Sequence, residues 1–305
     1  MSRIGQHIAG ALDPVVLARA IGMECDPWQA DVLRNPHRRE LIVASRQAGK
    51  TATAAVAAVH KAIYEPGSLV VIVSPSLHQS QRLFKVVLAL YRSLGRPVSS
   101  ESENQLSITL ENSSEVVAIS GDPTTGRGLS AVALLVIDEA AFVLDELFDA
   151  MMPVLAVSKG RMLAISTPNG RQGWYYHASK SPDWNKTIIT ADQCPRISDE
   201  TIEEARRSRG EQYVRREFFC DFADIAGMMF ASAKIDLMFA PARLGAIEPG
   251  ALFGNARPEK AIAPRPLSAP LRPVRCRRSR DGHFWKDAHC IHCGIEQPAL
   301  ASVSA

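Results

Sequence analysis

The chain has 305 residues, of which 46% are hydrophobic and 22% charged, a composition typical of globular proteins and not of disordered chains. Six cysteines in a chain of this length do not indicate a disulfide framework. The opening residues MSRIGQHIAG lack the apolar core of a signal peptide, and runs such as LVVIV at 69–73 are too short to cross a membrane. We therefore expect a cytoplasmic protein without a membrane partner.

The formal net charge of +3 is unevenly distributed. Residues 255–305 hold nine Lys or Arg against four Asp or Glu, a net +5, whereas the first 254 residues hold 26 against 28, a net −2. A near-neutral body with a basic tail indicates contact between the tail and a polyanion. A tail that is merely solvated explains the same charges.

The elements predicted in chain order alternate between helices and strands. Asp13-Pro14 and Asp26-Pro27 each have the pattern of a capped helix start, and Gly22 ends the first of these helices. Apolar, β-rich runs then alternate with helical stretches; the strands are predicted at 41–44, 69–73, 132–137 and 162–165, and the helices at 50–64, 76–93 and 144–152. This order predicts an α/β fold with a mainly parallel sheet covered by helices on both faces.

Other segments complete the predicted organisation. QLSITL and EVVAI flank ENSS and predict a small hairpin insertion, while KTIITA and the charged EEARRSRGEQYVRREFF predict a further strand and a helical region. Six prolines between 258 and 298 interrupt any regular period. We predict one domain over 1–225, an irregular linker over 226–272, a small module over 273–297 and a disordered end over 298–305.

The stretch LIVASRQAGKT at 41–51 resembles a phosphate-binding loop of the form G-x-x-x-x-G-K-[ST]. Its first glycine is replaced by Ala44, at the strand end, and Arg46 lies inside the loop. In such loops, main-chain N–H groups bind the phosphates, the lysine reaches the β and γ oxygens, and the hydroxyl binds Mg²⁺. In this chain the main-chain groups would be those of Ser45, Gln47, Ala48 and Gly49, the lysine Lys50 and the hydroxyl that of Thr51. The alternative is a strand-to-helix turn with an unrelated lysine.

Three downstream and upstream patterns support a nucleotide site. VALLVIDEAAF ends an apolar strand with two adjacent carboxylates. Asp138 would hold Mg²⁺ through water, and Glu139 would align the attacking water. The alternative is a pair of carboxylates that caps a helix. MLAISTPNG ends the next strand with Ser166 and Thr167, which are placed to sense the γ-phosphate unless they form an ordinary polar turn. Gln29 has the paired donor and acceptor that read adenine, or is a surface glutamine on a helix.

Together SRQAGKT, LLVIDEAAF, ISTPNG and YVRREFFCDF resemble the ATPase domain of the large terminase subunit of tailed phages, over about residues 25–225. The resemblance implies a RecA-like P-loop ATPase that uses ATP and Mg²⁺ to move double-stranded phage DNA into a prohead. It implies Lys50 and Thr51 at the phosphates and Mg²⁺, Asp138 at the metal, and Glu139 as the catalytic carboxylate. Gln29 matches the adenine-reading glutamine.

The same resemblance assigns further roles and partners. Ser166 and Thr167 match the motif that couples hydrolysis to DNA movement, and Arg46 matches a γ-phosphate sensor or finger within its own subunit. Arg127, in GDPTTGRGLS, matches an arginine that reaches a neighbour's nucleotide in a homo-oligomeric ring, although a structural arginine in a glycine-bounded turn is equally consistent. Which arginine acts as the finger stays open. The implied partners are a portal protein and a small terminase subunit.

Large terminases usually continue into a ribonuclease H-like nuclease domain, and the residues after 225 lack the strands to hold its acidic cluster. We therefore expect no nuclease activity from this sequence. The sequence leaves two alternative functions: a helicase-like DNA-dependent ATPase, which needs a second RecA-like domain, and a prophage-derived DNA-binding or interaction protein acting through its tail.

The tail contains four residues with ligand-like spacing, in CRRSRDGHFWKDAHCIHCG. Cys276, His283, Cys290 and Cys293 match a tetrahedral Zn²⁺ site, and His289 or His292 can replace His283. Free cysteines in a disordered tail are the alternative. Nearby arginines are candidates for phosphate contacts.

Overall fold

The computed structural model describes residues 3–223, 285–286 and 289–290. The chain divides into two compact units, Met1–Phe239 and Ala240–Ala305. The boundaries predicted at 226, 273 and 298 lie outside the described residues and stay predictions. Within the described part, no helix has the length and apolarity needed to cross a bilayer.

The first unit contains one sheet and the helices that cover it. The helices are α1 (Arg3–Leu12), α2 (Pro14–Ala20), α3 (Pro27–Arg34), α4 (Lys50–Tyr64), α5 (Leu77–Ser93), α6 (Asp145–Ser158), α7 (Gly173–Lys180), α8 (Asp199–Arg209) and α9 (Glu211–Glu217). The strands are β1 (Arg39–Ala44), β2 (Leu69–Val73), β3 (Ser100–Glu103), β4 (Ser107–Leu110), β5 (Glu115–Ile119), β6 (Val132–Asp138), β7 (Arg161–Ser166) and β8 (Asn185–Ile189). In the second unit, β9 (Trp285–Lys286) pairs antiparallel with β10 (His289–Cys290).

The eight strands form a sheet in the order β3-β4-β5-β2-β6-β7-β1-β8. Within this sheet, the pairs β5-β2, β2-β6, β6-β7, β7-β1 and β1-β8 are parallel, and the pairs β3-β4 and β4-β5 are antiparallel. The strand β1 leads into the phosphate-binding loop and β6 leads into the acidic pair. In the sheet, β7 lies between these two strands. The predicted mainly parallel sheet is confirmed.

Helices cover both faces because successive strand residues point to opposite sides. In β1, Ile42 packs in the core on the side of α4 and α5, whereas Leu41 and Val43 pack in the core on the side of α6 and α7. All three are fully buried, which matches the near-continuous apolar strands of the sequence.

Several local predictions are confirmed. Asp13 caps α2, since its Oδ1 accepts a hydrogen bond from the Val15 N–H at 2.9 Å, and α3 begins at Pro27 after Asp26. The helix α4 spans the predicted residues 50–64.

Other predictions need correction. The predicted hairpin is present, since β4 and β5 pair antiparallel. It belongs to the main sheet and is not an insertion, because β5 also pairs along its whole length with β2. The helix predicted to end at 152 continues through Pro153 to Ser158. Proline removes one main-chain hydrogen-bond donor, but this does not end the helix here. The charged helical region is two helices separated at Gly210, whose φ of 84° lies outside the helical range. The sequence analysis does not predict the elements α1, β3 and α7.

Candidate nucleotide site

The first two residues of the loop between β1 and α4 are held by the main chain of distant segments. The Ser45 N–H donates to the carbonyl of Ile189 at 2.8 Å, and the Arg46 N–H donates to the carbonyl of Glu217 at 3.0 Å. Ala44, which replaces the first glycine of the loop pattern, is fully buried at the end of β1. A methyl group is therefore accommodated at this position, and the loop follows the strand and precedes the helix as the motif requires.

Gly49 precedes α4 as its N-cap, in a backbone conformation that residues with side chains disfavour. Its φ is 94°, and a Cβ there would lie 2.7 Å from Nε2 of Gln29. Glycine is thus needed both for the backbone conformation and for the close approach of Gln29.

The Gln29 side chain is 2% exposed and its amide makes internal hydrogen bonds. Its Nε2 donates to Oγ1 of Thr53 at 3.0 Å and to the carbonyl of Gly49 at 3.4 Å, and its Oε1 accepts from the Asp26 N–H at 2.8 Å. The glutamine is not the surface residue considered as an alternative. It connects α3 to the start of α4, so reading adenine requires it to exchange these bonds.

Lys50 lies in the first turn of α4 and turns back toward the strand. Its Nζ donates to the carbonyl of Ala44 at 2.7 Å and to that of Ser45 at 2.8 Å. Burial lowers the pKa of Lys50, and the nearby Glu139 carboxylate partly opposes this shift. Thr51, the predicted Mg²⁺ ligand, is exposed in the same turn.

The two carboxylates lie at the carboxyl end of β6. Burial, together with the neighbouring charge of Glu139, raises the pKa of Asp138 to about 6. Glu139 adopts a left-handed backbone conformation with φ of 50°, a strained arrangement for a residue with a side chain. The pair is followed by a short 3-10 turn at Ala140–Phe142 rather than by the α-helix that a capping role would require.

The ends of three neighbouring strands bring the predicted residues together. Val43 of β1 is in register with Ser166 of β7, and Asp138 of β6 is in register with Ile165 of β7. Oγ of Ser166 donates to Oε2 of Glu139 at 3.4 Å. Thr167, which follows β7, is 5% exposed. The predicted loop, acidic pair and hydroxyls therefore lie at one edge of the sheet, where ligands bind in open α/β folds.

The two candidate arginines are in different surroundings. Nε of Arg46 donates to Oε2 of Glu217 at 2.6 Å, and this bond raises the pKa of Arg46. Arg127 lies in the 3-10 turn Thr125–Gly128, before β6, and only its main chain is described. The structure thus gives Arg46 a partner within the chain.

The sequence did not reveal two charged residues that contact the loop. Arg196, after β8, forms a two-pronged pair with Asp26, which raises the pKa of Arg196, and its Nη2 donates to the carbonyl of Ala48 at 3.0 Å. No sequence pattern marks it. Glu217 had a signal, because it is a charged residue on the buried stripe with Val214 and Phe218, at helical spacing i, i+3, i+4.

The residues at the site fit a Mg²⁺ ion that arrives with a nucleotide. Among residues 3–223, no group of three or more His, Cys, Asp or Glu side chains is arranged to hold a metal by itself. One hydroxyl from Thr51 and a carboxylate from Asp138 suit Mg²⁺, which keeps several waters and binds phosphate oxygens. A closely spaced pair of partly buried carboxylates is also costly without a cation.

The predicted zinc ligands Cys276, His283 and Cys293 lie outside the described residues. Cys290 lies in β10, where only its backbone is described. His289 is also in β10, and His292 lies outside the described part.

Known proteins resemble the chain over the same region. The Thermus phage P74-26 large terminase ATPase domain matches with a TM-score of 0.61 and 24% identity, over 68% of this chain and 97% of that one. The HK97 bacteriophage large terminase matches with a TM-score of 0.53 and 20% identity, over 64% of this chain and 50% of that one. These matches establish the same fold.

A curated relative, the terminase large subunit of Escherichia phage T5, is 28% identical over 213 residues, which cover 66% of this chain and 48% of the relative. The chain thus spans about half the length of that relative. The family model "Terminase large subunit, T4likevirus-type, N-terminal" matches residues 41–237 and so includes the loop, the acidic pair and the Ser166 strand end. Because this match covers more than half of the chain and includes the residues gathered at the sheet edge, the chain belongs to the terminase large subunit family.

Proposed function

We propose that this chain is the ATPase of a phage DNA-packaging motor, which couples ATP hydrolysis to the translocation of double-stranded DNA into a prohead. The carrying observation is the meeting of Lys50, Asp138, Glu139 and Ser166 at the ends of β1, β7 and β6. Family membership supports the same function. The site of action would be the cytoplasm of the bacterial host.

The residues divide the chemistry between binding and water activation. Main-chain N–H groups of Gln47, Ala48 and Gly49, together with Lys50, bind the phosphates of ATP. The sequence also predicts the Ser45 N–H as a donor, but that group already donates to the carbonyl of Ile189, so Ser45 is removed from the phosphate-binding set. Thr51 and Asp138 would hold Mg²⁺, which when bound neutralises charge on the β and γ oxygens.

Glu139 orients the attacking water and accepts its proton, and the bond from Ser166 holds the carboxylate in place. Ser166 and Thr167 also connect β7 to the site, which suits them to transmit the state of the γ-phosphate. Arg46 would act at the phosphates of its own subunit, and Arg127 at the nucleotide of a neighbour in a ring. Gln29 would contact adenine after exchanging its bonds within the loop.

The partners belong to this proposal as well. A packaging ATPase needs double-stranded DNA, and the family resemblance adds a portal protein, a small terminase subunit and a ring of identical subunits.

Phosphate release by the parent protein with ATP and Mg²⁺, measured with and without double-stranded DNA, tests the function. Glu139→Gln keeps the shape of the side chain but removes the base, so turnover should fall by roughly 10²- to 10⁴-fold while binding of a fluorescent ATP analogue is retained. Glu146→Gln is the matched control, because Glu146 is an exposed carboxylate in the first turn of α6. A parent without activity under all conditions, or a Glu139→Gln variant at the parent's rate, refutes the proposal.

We also propose that the second unit binds one Zn²⁺ through Cys276, His283, Cys290 and Cys293. The spacing of a final C-x-x-C and the antiparallel pairing of β9 with β10 just before Cys293 support this site. Metal analysis of protein purified without chelator should give one zinc per chain. A value near zero that added zinc does not restore rules the site out.

A further inference from the structure

The last residue of α9, Glu217, contacts the phosphate-binding loop through both its main chain and its side chain. Its carbonyl accepts the Arg46 N–H at 3.0 Å, and its Oε2 accepts Nε of Arg46 at 2.6 Å. One residue thus fixes Arg46 at two points.

The other carboxylate oxygen of Glu217 is also paired. Its Oε1 accepts Nε of Arg216 at 3.0 Å and lies 2.9 Å from Nη2 of that arginine. With one arginine on each oxygen, the orientation of the carboxylate is fixed. The backbone beside it is fixed too, since the carbonyl of Phe218 accepts the Ala191 N–H at 2.7 Å.

The burial of Glu217 calls for a reason other than stability. Its side chain is 1% exposed, between the buried Val214 and Phe218, while the Arg46 side chain is 60% exposed. Buried ion pairs are often no more stabilising than apolar residues of the same volume, so a core position filled for stability alone favours an apolar side chain. An exposed, flexible arginine, by contrast, is useful to a phosphate site only when its guanidinium is held in place in advance.

We propose that Glu217 is the positioning residue for Arg46: it holds the guanidinium at the edge of the loop before ATP binds, so that the terminal phosphate meets an arginine already in place. This inference rests on the proposed ATPase function. The positioning role also explains why the YVRREFF segment has a charged residue, Glu217, on the buried stripe with Val214 and Phe218.

The test measures kcat and KM for ATP, and Kd for ADP and for ATPγS, in the parent, Glu217→Gln, Arg46→Ala and the double variant. A misplaced arginine should lower kcat by roughly ten- to a hundredfold in Glu217→Gln, with KM changed less than about threefold. The double variant should be no slower than Arg46→Ala, because both changes remove the same arrangement. Arg215→Ala is the matched control on α9, since Arg215 pairs with Asp221 instead of the loop, and it should behave as the parent.

Thermal unfolding of each variant separates positioning from folding. A Glu217→Gln protein that loses stability but keeps the parent's kcat overturns the proposal, as do effects on kcat that multiply in the double variant. Glu217→Asp keeps the charge but shortens the side chain, so it should fold and still lower kcat. If neither Glu217 variant folds, the residue serves stability and the proposal is wrong.

A parent that binds nucleotide without hydrolysing it would refute the proposed function but leave this inference testable. Glu217→Gln and Arg46→Ala should then lose the same part of the preference for ATPγS over ADP, and Arg215→Ala should keep it. Unequal losses, or none, overturn the role of Glu217.

Discussion

Replacing Gly49 by alanine tests whether the start of α4 is shaped by Gln29. The left-handed backbone at φ of 94° costs a residue with a Cβ about 1–2 kcal/mol, and the reduced entropy of the unfolded chain offsets roughly 0.4–1 kcal/mol of this. The added Cβ would also lie 2.7 Å from Nε2 of Gln29. Gln29 cannot simply turn away, because it is buried and bonded to Thr53 and Asp26.

Loss of two such buried hydrogen bonds costs about 1 kcal/mol each, so Gly49→Ala should lower the free energy of unfolding by about 3 kcal/mol in total. Gly67→Ala is the matched control. Gly67 has a similar φ of 73°, but nothing lies within 4 Å of its added Cβ, so only about 1 kcal/mol should be lost. In a Gln29→Ala background, Gly49→Ala should likewise cost only about 1 kcal/mol, because the clash is gone.

Urea unfolding followed by tryptophan fluorescence gives these differences from the transition midpoints and slopes. The reasoning is refuted if Gly49→Ala costs no more than Gly67→Ala, or if its cost is the same with and without the Gln29 side chain. The double-variant comparison isolates the contact because the two residues touch.

Three further predictions concern charge. Lys50→Ala should weaken ATP binding by roughly ten- to a hundredfold, the value of a charge-assisted hydrogen bond, as measured with a fluorescent ATP analogue; unchanged binding would contradict the loop assignment. Mixing Arg127→Ala with Glu139→Gln protein should restore part of the ATPase activity if Arg127 acts on a neighbour, and no recovery in a mixture shown to assemble would count against this. Asp13→Ala should lower the free energy of unfolding by about 1 kcal/mol at pH 7 through loss of the cap of α2. The bond from Arg34 holds the pKa of Asp13 below its usual range. The stabilisation by the Asp13 carboxylate is therefore present above pH about 4 and should disappear as the pH falls further. Urea unfolding of the parent and of Asp13→Ala from pH 7 to pH 3 measures this loss.

The sequence determined the elements whose signals are local. Apolar runs located β1, β2, β6 and β7 to within a residue or two, and the loop pattern located the start of α4, because strand burial and backbone conformation depend on neighbouring residues. The same locality explains why Asp138 and Glu139 were found: two charges directly after an apolar strand are visible in the chain itself. The roles of the residues at the sheet edge, of Arg127 and of the zinc ligands remain predictions.

The tertiary structure alone decided how these elements meet. It joined the predicted hairpin to the main sheet and placed β7 between the two strands that carry the loop and the acidic pair. It also brought Arg196 to Asp26 and Glu217 to Arg46, pairs that are 170 and 171 residues apart in the chain. A local pattern cannot specify such contacts, because the partner of a side chain at this separation depends on strand order and helix packing, which are settled only when the whole core is buried.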